Sequence, residues 1–288
     1  MLTNDQINAY HENGYIAIDN VLTMPEVEEL RDVTDEFFEK ARGLTENDDH
    51  FELEPTHSKE NPKLRRIIFP YKIHPAYDKS MRHPRILEMV SQLIGHDLRQ
   101  NGHKLNIKYS QGGSPVEWHQ DWVFYPHTND DLLAVGIAID PMTMENGCLM
   151  MIPGSHRDPI YDHHHRDGYF VGAVHEKNFS LKDAAPITLD AGGISIHHVR
   201  TLHGSESNIS DHSRRLLLTQ YCAVDAWPLR GITDWDTFNA DIVRGEPTNR
   251  PRLTDVPVLM PYPEGEFGDR SIYEIQKGME DRLYEVPK

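Results

Sequence analysis

At about residue 102 the hydrophobic pattern of the chain changes period. Before that point apolar residues recur at helical spacing, first in Val27, Leu30, Val33, Phe37 and Ala41, then in Ile86, Leu87, Val90, Leu93 and Ile94. After it come short extended segments between turn residues: His103 to Tyr109, Val116 to Val123, Leu132 to Ile139, Cys148 to Ile152, Ile194 to His198 and Leu216 to Val224. Many short strands punctuated by turns build a sandwich or barrel. The fold class expected is therefore mainly β with flanking helices. One domain over 1–288 is expected, with a helical N-terminal part over 1–100, a strand-built core over 101–225 carrying an insert at 157–186, and a wrapping segment over 226–288. Prolines at 228, 247, 251, 257, 261 and 263 forbid long helices and central strands in that segment until about Ser271.

Local signals refine the N-terminal part. Thr3 to Gln6 and Thr23 to Glu26 read as capping boxes, the first helix ending at Gly14 and the second at Gly43, with Tyr15 to Ile18 a strand between them. Another helix runs from His83-Pro84 to Gly95. Residues 44–62 are acidic and irregular and read as a solvated loop. Lys63 to Phe69 is the most basic stretch of this half; it reads as a surface patch, with the supply of a cation to an anionic ligand as the alternative. Asp162 with His163, His164 and His165 reads as an exposed loop near the mouth of a site, because three adjacent histidines cannot all face one ion from regular structure.

The formal charge of −17 argues against a surface that tracks nucleic-acid phosphates and leans mildly away from polyanionic substrates. No run of about 18 apolar residues could span a bilayer, and the start of the chain lacks the basic region of a leader. Two cysteines, Cys148 and Cys222, supply no disulfide framework, which fits a reducing compartment and favours the cytoplasm. A small-molecule substrate is the partner expected, with neither nucleic acid nor membrane, and the C-terminal segment is a candidate contact for a homo-oligomer.

Within the strand-rich part, Trp118-His119-Gln120-Asp121-Trp122 places an imidazole and a carboxylate two residues apart, which on an extended strand puts both on one face. The pair alone is weak, since the chain has 18 histidines and 46 acidic residues. Downstream, His203 can complete two histidines and one carboxylate on one side of an ion, the arrangement of non-haem Fe(II) oxygenases. Arg214, eleven residues further on, is suited to grip a carboxylate at two points. Alternation puts Trp118 and Trp122 on the face opposite the ligands, so packing outweighs substrate contact for both. Phe124 and Tyr125 are candidates for lining a substrate pocket, and Trp122 is retained as a weaker one.

His119-Gln-Asp121, the segment Glu145 to His156, and His203-Gly-Ser205 with Asn208 and Arg214 together resemble the phytanoyl-CoA dioxygenase family, over roughly residues 5 to 225. The resemblance implies a double-stranded β-helix core, the cupin-like jelly roll. It implies Fe(II) held by His119, Asp121 and His203, and 2-oxoglutarate as cosubstrate, its distal carboxylate on Arg214 with help from Ser205. Asn106, Lys108 and Gln120 are the further cosubstrate candidates. His197-His198 competes with His203, which alone has the Gly-Ser sequel and the arginine. Asp121 also matters because halogenating relatives lack this carboxylate. The activity implied is therefore hydroxylation of a C–H bond in a small metabolite or natural product, consuming O2 and releasing succinate and CO2. Desaturation, epoxidation or rearrangement, an acyl-CoA substrate, and a jelly roll that binds metal without turnover are the alternatives. Residues 44–62, 157–186 and the proline-rich tail are candidate lids.

Overall fold

Each Thr-led signal starts a helix. In the computed structural model, which describes residues 1–110, 112–174, 179–259, 271–279 and 282–284, the Thr3 hydroxyl accepts from the Gln6 amide while the Gln6 side chain accepts from the Thr3 amide. α1 (Asn4–Asn13) thus begins with two orphan donors satisfied and ends on Gly14 at φ 82°. β1 (Tyr15–Ile18) follows, and Thr23 with Glu26 starts α2 (Met24–Ala41). Gly43 is not the cap expected of it: α2 closes on Arg42 in right-handed conformation, its guanidinium turned back onto Glu39.

β2 (Phe51–Leu53) and β3 (Leu64–Ile68) correct two expectations. The stretch 44–62 is not a wholly solvated loop, since Glu52 and Glu54 are only 3% and 5% exposed. Nor is 63–69 a surface patch. Arg65 is buried, donating to Glu52 Oε1 at 2.6 Å, and Arg66 Nε lies 3.0 Å from the other oxygen of the same carboxylate. A charged stretch of either sign reads as solvent-facing on its own; the hairpin pairs the two.

The chain continues through α3 (Pro75–Met81), which the sequence reading missed, α4 (Pro84–Ile94), β4 (Leu98–Lys108), β5 (Val116–His119), β6 (Leu132–Ala138), β7 (Leu149–Met151), β8 (Ala185–Ile187), β9 (Ile194–His198), β10 (His203–Ser205) and β11 (Arg214–Ala223). Only short elements follow: α5 (Trp235–Ala240), β12 (Ile242–Arg244) and α6 (Ile272–Ile275), as the prolines require. Pro261, Pro263, Gln111 and part of the 157–186 insert lie outside the described residues.

The strands form two antiparallel sheets, one of eight strands in the order β1-β9-β6-β11-β4-β3-β2 with β12 also on β4, the other of four in the order β5-β10-β7-β8. The fold is a double-stranded β-helix. Register decides what each face of the large sheet carries. Leu105 and Ile107 of β4, Leu217 of β11, Val135 and Ile137 of β6, and Ile194 and Ile196 of β9 join the apolar core under α1, α2 and α4. Their alternates point between the sheets. Lys104, Asn106 and Lys108 stand opposite Leu218, Leu216 and Arg214, which in part face Gly136 and Ala138. Gly136 is needed there, because a Cβ would come within 2.8 Å of Ser195 Oγ.

The segment after the proline-rich tail is tied to the N-terminal hairpin. Glu52 Oε1 accepts from Arg65 and from the Ser271 hydroxyl, both at 2.6 Å, and Arg65 also reaches Glu274 at 3.0 Å. Gln276 accepts from the Glu117 amide, and Glu117 in turn accepts from the amides of Leu283 and Tyr284. Among the described residues no helix is long and apolar enough to cross a membrane.

One core group sets a pH dependence. His103 packs its ring against Tyr71 and Tyr77 at 5.6 and 6.4 Å, neither ring nitrogen has a hydrogen-bond partner, and burial pushes its pKa down to about 3. The unfolded chain takes up a proton there below about pH 6.5 that the folded chain refuses until about pH 3, so stability falls as pH drops through that window. His103→Phe should flatten the stability–pH slope between pH 6 and 4 by up to about 1.4 kcal/mol per pH unit. Urea unfolding of both proteins across the window measures it, and equal slopes would show that His103 is not kept neutral.

Candidate metal centre and cosubstrate pocket

β5 ends at His119, and Asp121 opens a single 3-10 turn, so the opening pair does not lie within one strand as expected. The geometry survives because Gln120 is still extended, at φ −110° and ψ 128°. His119 and Asp121 therefore project to the same side, and β10 delivers His203 directly opposite His119 in the register of the small sheet. One ligand atom from each of His119, Asp121 and His203 can be chosen so that all lie within 4.8 Å of one another, in a buried cluster.

The protonation states suit a metal. Nδ1 of His119 lies 2.7 Å from the Glu117 carbonyl oxygen, and Nδ1 of His203 lies 2.9 Å from that of Thr201. Both rings therefore carry the proton on Nδ1 and turn the Nε2 lone pair to the centre, as metal-ligating histidines do. Burial lowers the pKa of each, His203 to about 4, so neither ring is a cation at neutral pH. Burial alone would raise Asp121, but His197 and the other basic groups around it outweigh that and hold its carboxyl below the usual range. Two neutral imidazoles and one carboxylate with an open side fit Fe(II). His197 stands behind this set rather than in it, with Nε2 3.6 Å from Asp121 Oδ2, while His198 turns to Arg200 and Asp130.

The open side is a cavity between the sheets, lined at one end by Arg214, Ser205, Lys108, Asn106 and Tyr273 and at the other by Lys104, Gln220 and the triad. Arg214 is buried; one terminal nitrogen donates to the Gly147 carbonyl at 3.0 Å, and its Nε has no partner. Lys108 Nζ donates to Ser205 Oγ at 2.8 Å and to the backbone carbonyls of Ser205 and Glu206. Asn106 Oδ1 is buried and unpartnered. Such a pocket is desolvated and holds a buried guanidinium with an unpartnered donor, which suits a carboxylate.

The motif around Asn146-Gly147 contributes more than a turn. Asn146 bonds the backbone of Thr143 and Pro141, and Gly147 at φ 74° presents its carbonyl to Arg214. Asn208 performs a similar service, donating to the Lys108 and His212 carbonyls and so fixing the end of β4.

Three expectations need correction, and that for Trp118 is met. Gln120 is fully buried, its amide donating to the Arg200 carbonyl and accepting from the Tyr161 amide, so it does not face the cosubstrate. Trp122 packs with Leu132, Val199 and Cys222, its indole N–H on the Pro257 carbonyl, and lines no substrate space. Trp118 is likewise core, against Ile152, Val174 and Leu202. His163 is not exposed: it is buried, with Nε2 accepting from the Gln120 amide at 3.0 Å and Nδ1 on the Tyr161 carbonyl, and it thereby shapes the bend between His119 and Asp121. Phe124 and Tyr125 do line a second chamber of about 400 Å³ that shares Asp121, Lys104, Gln220 and Ile272 with the cavity. The sequence reading missed Lys104, Gln220 and Tyr273. Alternation from Asn106 and Lys108 would have found Lys104; Tyr273 gives no local signal, because its position depends on the Glu52–Arg65 pair.

The chain resembles known proteins in sequence and in fold. The family model described as Phytanoyl-CoA dioxygenase (PhyH) matches residues 10–216. A probable alpha-ketoglutarate-dependent hypophosphite dioxygenase of Stutzerimonas stutzeri is 34% identical over 97% of this chain and 99% of its own length. An ectoine dioxygenase of Streptomyces coelicolor is 30% identical over 76% of this chain and 77% of its own. Among solved structures, EctD from S. alaskensis with bound Fe superposes with a TM-score of 0.68 at 22% identity, covering 88% of each chain.

Gly147 offers a test of the pocket's construction. A Cβ there would lie 2.3 Å from the Glu206 carbonyl oxygen, whereas at Gly168, also at positive φ, nothing lies within 4 Å. Gly147→Ala should therefore cost at least about 1 kcal/mol more than Gly168→Ala, which bears only the conformational cost of about 1 kcal/mol. Urea midpoints compare them, and equal losses would mean that the Glu206 backbone gives way freely.

Proposed function

Because the chain belongs to the phytanoyl-CoA dioxygenase family and is an Fe(II)/2-oxoglutarate-dependent dioxygenase acting on a small molecule, we propose that His119, Asp121 and His203 hold the iron and that Arg214 anchors the cosubstrate. The observation that carries this is the convergence of the three ligand groups within 4.8 Å, in a cavity whose far end holds Arg214 with an unpartnered Nε. Bound there, Fe(II) with 2-oxoglutarate and O2 supplies the oxidising chemistry: one oxygen atom enters the substrate as a hydroxyl group, the other enters succinate, and CO2 leaves.

The chain's own residues prepare that chemistry. The Glu117 and Thr201 carbonyls fix both imidazoles in the ligating tautomer. His197 steadies the Asp121 carboxylate from behind. Arg214 takes the distal carboxylate of 2-oxoglutarate, with Ser205 beside it held by Lys108. Asn106 offers its side-chain amide from the same wall. Phe124, Ile272 and Tyr273 supply apolar surface that limits water near the reacting atoms.

Similarity to the relative named for hypophosphite makes that compound the first substrate to assay, ahead of an ectoine-like zwitterion. The buried free cysteines and the need for Fe(II) suit a reducing compartment such as the cytoplasm. The charge of −17 supports a protein that works without nucleic acid or an anionic membrane surface.

Replacing His119 or Asp121 with Ala should abolish substrate-dependent succinate formation and weaken Fe(II) binding measured by equilibrium dialysis. Retention of both activities would sink the assignment. Arg214→Ala should raise the apparent Kd for 2-oxoglutarate at least about tenfold while leaving metal binding within about twofold, since loss of a charged hydrogen bond costs about 1.5–3 kcal/mol. Equal effects on cosubstrate and metal would make Arg214 a structural residue only.

A further inference from the structure

We propose that the substrate is a small oxoanion, and that Lys104, assisted by Arg66, is the group that selects it. The inference rests on the iron and 2-oxoglutarate reading above and concerns the chamber on the other side of the triad.

That chamber, about 400 Å³, has room for many small molecules, so size does not choose among them. Its polar wall does. Tyr125 and Gln220 bond each other, Ser271 donates to Glu52, and Asp121 faces the metal position. Lys104 is different: it lines both the triad cavity and the chamber, and among the described residues no hydrogen bond or ion pair engages its ammonium group. Arg66 is anchored at one point, Nε 3.0 Å from Glu52 Oε2, and its terminal nitrogens have no described partner.

Register explains why the two cations share this space. Lys104 stands opposite Ile68, and Arg66 opposite Asn106, so all four side chains lie on the inward face of the large sheet. Both cations are therefore fixed to paired strands, and a flexible loop does not carry either of them. Burial opposes the charge on Lys104, with Asp121 the main group favouring it. A chain of net charge −17 has no general excess of cations to explain such a wall.

The chemistry follows from the placement. The oxygens of the substrate would sit on Lys104 and Arg66, turning an X–H bond, with X carbon or phosphorus, toward the open side of the triad. One atom of O2 converts X–H to X–OH while the other enters succinate as 2-oxoglutarate loses CO2, so electrons and atoms balance without another reductant.

Calorimetry on the full-length protein loaded with Mn(II) and 2-oxoglutarate without O2 provides the test, with hypophosphite, methylphosphonate and a carboxylate of similar size as probes beside an uncharged compound of equal size. At least one anion should bind, and the neutral compound should not. Lys104→Met should weaken that anion at least tenfold, Lys104→Arg should restore much of the loss, and the Kd for 2-oxoglutarate should stay within twofold. With Fe(II) and O2, the same anion should raise succinate release in the parent protein and not in Lys104→Met. Unchanged anion affinity in Lys104→Met would overturn the proposal. So would a loss confined to 2-oxoglutarate, which would make Lys104 part of the cosubstrate site, or a response to the neutral compound alone. Failure of the parent protein to take up Mn(II) or 2-oxoglutarate would refute the underlying reading instead, and this inference with it.

Discussion

The antiparallel pairing of β4 with β11, which runs from Arg214 against Lys108 to Ala223 against Leu98, is the constraint on which everything else depends. It is the longest pairing among the described residues, and each strand has one face in the helix-covered core and one between the sheets. Because side chains alternate, a slip of one residue would carry Lys104, Asn106, Lys108 and Arg214 into the apolar layer and turn Leu105, Ile107 and Leu217 toward the cavity. Burying a cation without compensation costs several kcal/mol, so such a slip is strongly disfavoured. The polar site and the apolar core thus enforce each other's register.

Much of this was legible in the sequence because it is local. Capping boxes, the strands between turns, and the His-x-Asp pair with its distant histidine and arginine all depend on neighbours within a few residues or on a motif that retains its order. What was not legible depends on pairing across long separations. Glu52 looked solvated because its partners Arg65, Arg66 and Ser271 come from another strand and from the far end of the chain. Gln120 looked like a ligand-facing side chain because it sits between two ligands; its amide is taken by Arg200 and Tyr161, about 80 and 41 residues away. His163 sat in a run of histidines that suggested exposure, and only the fold shows that it and His165 are buried while His164 between them is half-buried.

The electrostatics of the interior run against those of the chain as a whole. A protein with 46 acidic and 29 basic residues keeps Arg214, Lys108, Lys104 and Arg66 on the face between its sheets. Lys108 is satisfied by a hydroxyl and two carbonyls, none of them a counter-charge, and burial beside Arg214 pushes its pKa well below the usual lysine range. Arg214 is treated the same way by Gly147. Neutral partners of this kind hold a cation in place and leave its field for an anion. The acidic exterior, in turn, keeps such anions from accumulating elsewhere on the surface.

The tie between Arg65 and Glu274 spans 209 residues, and that between Glu52 and Ser271 spans 219. At the usual pace of translation, about 5–20 residues per second, roughly 10–40 s separate the emergence of the two sides. During that interval the hairpin and both sheets can assemble, since β11 is complete before α6 exists. The buried Glu52–Arg65 pair must then wait in water-accessible form for its cover. Ile272 and Tyr273, which line the cavity beside the triad, are therefore the last part of its described wall to be synthesised.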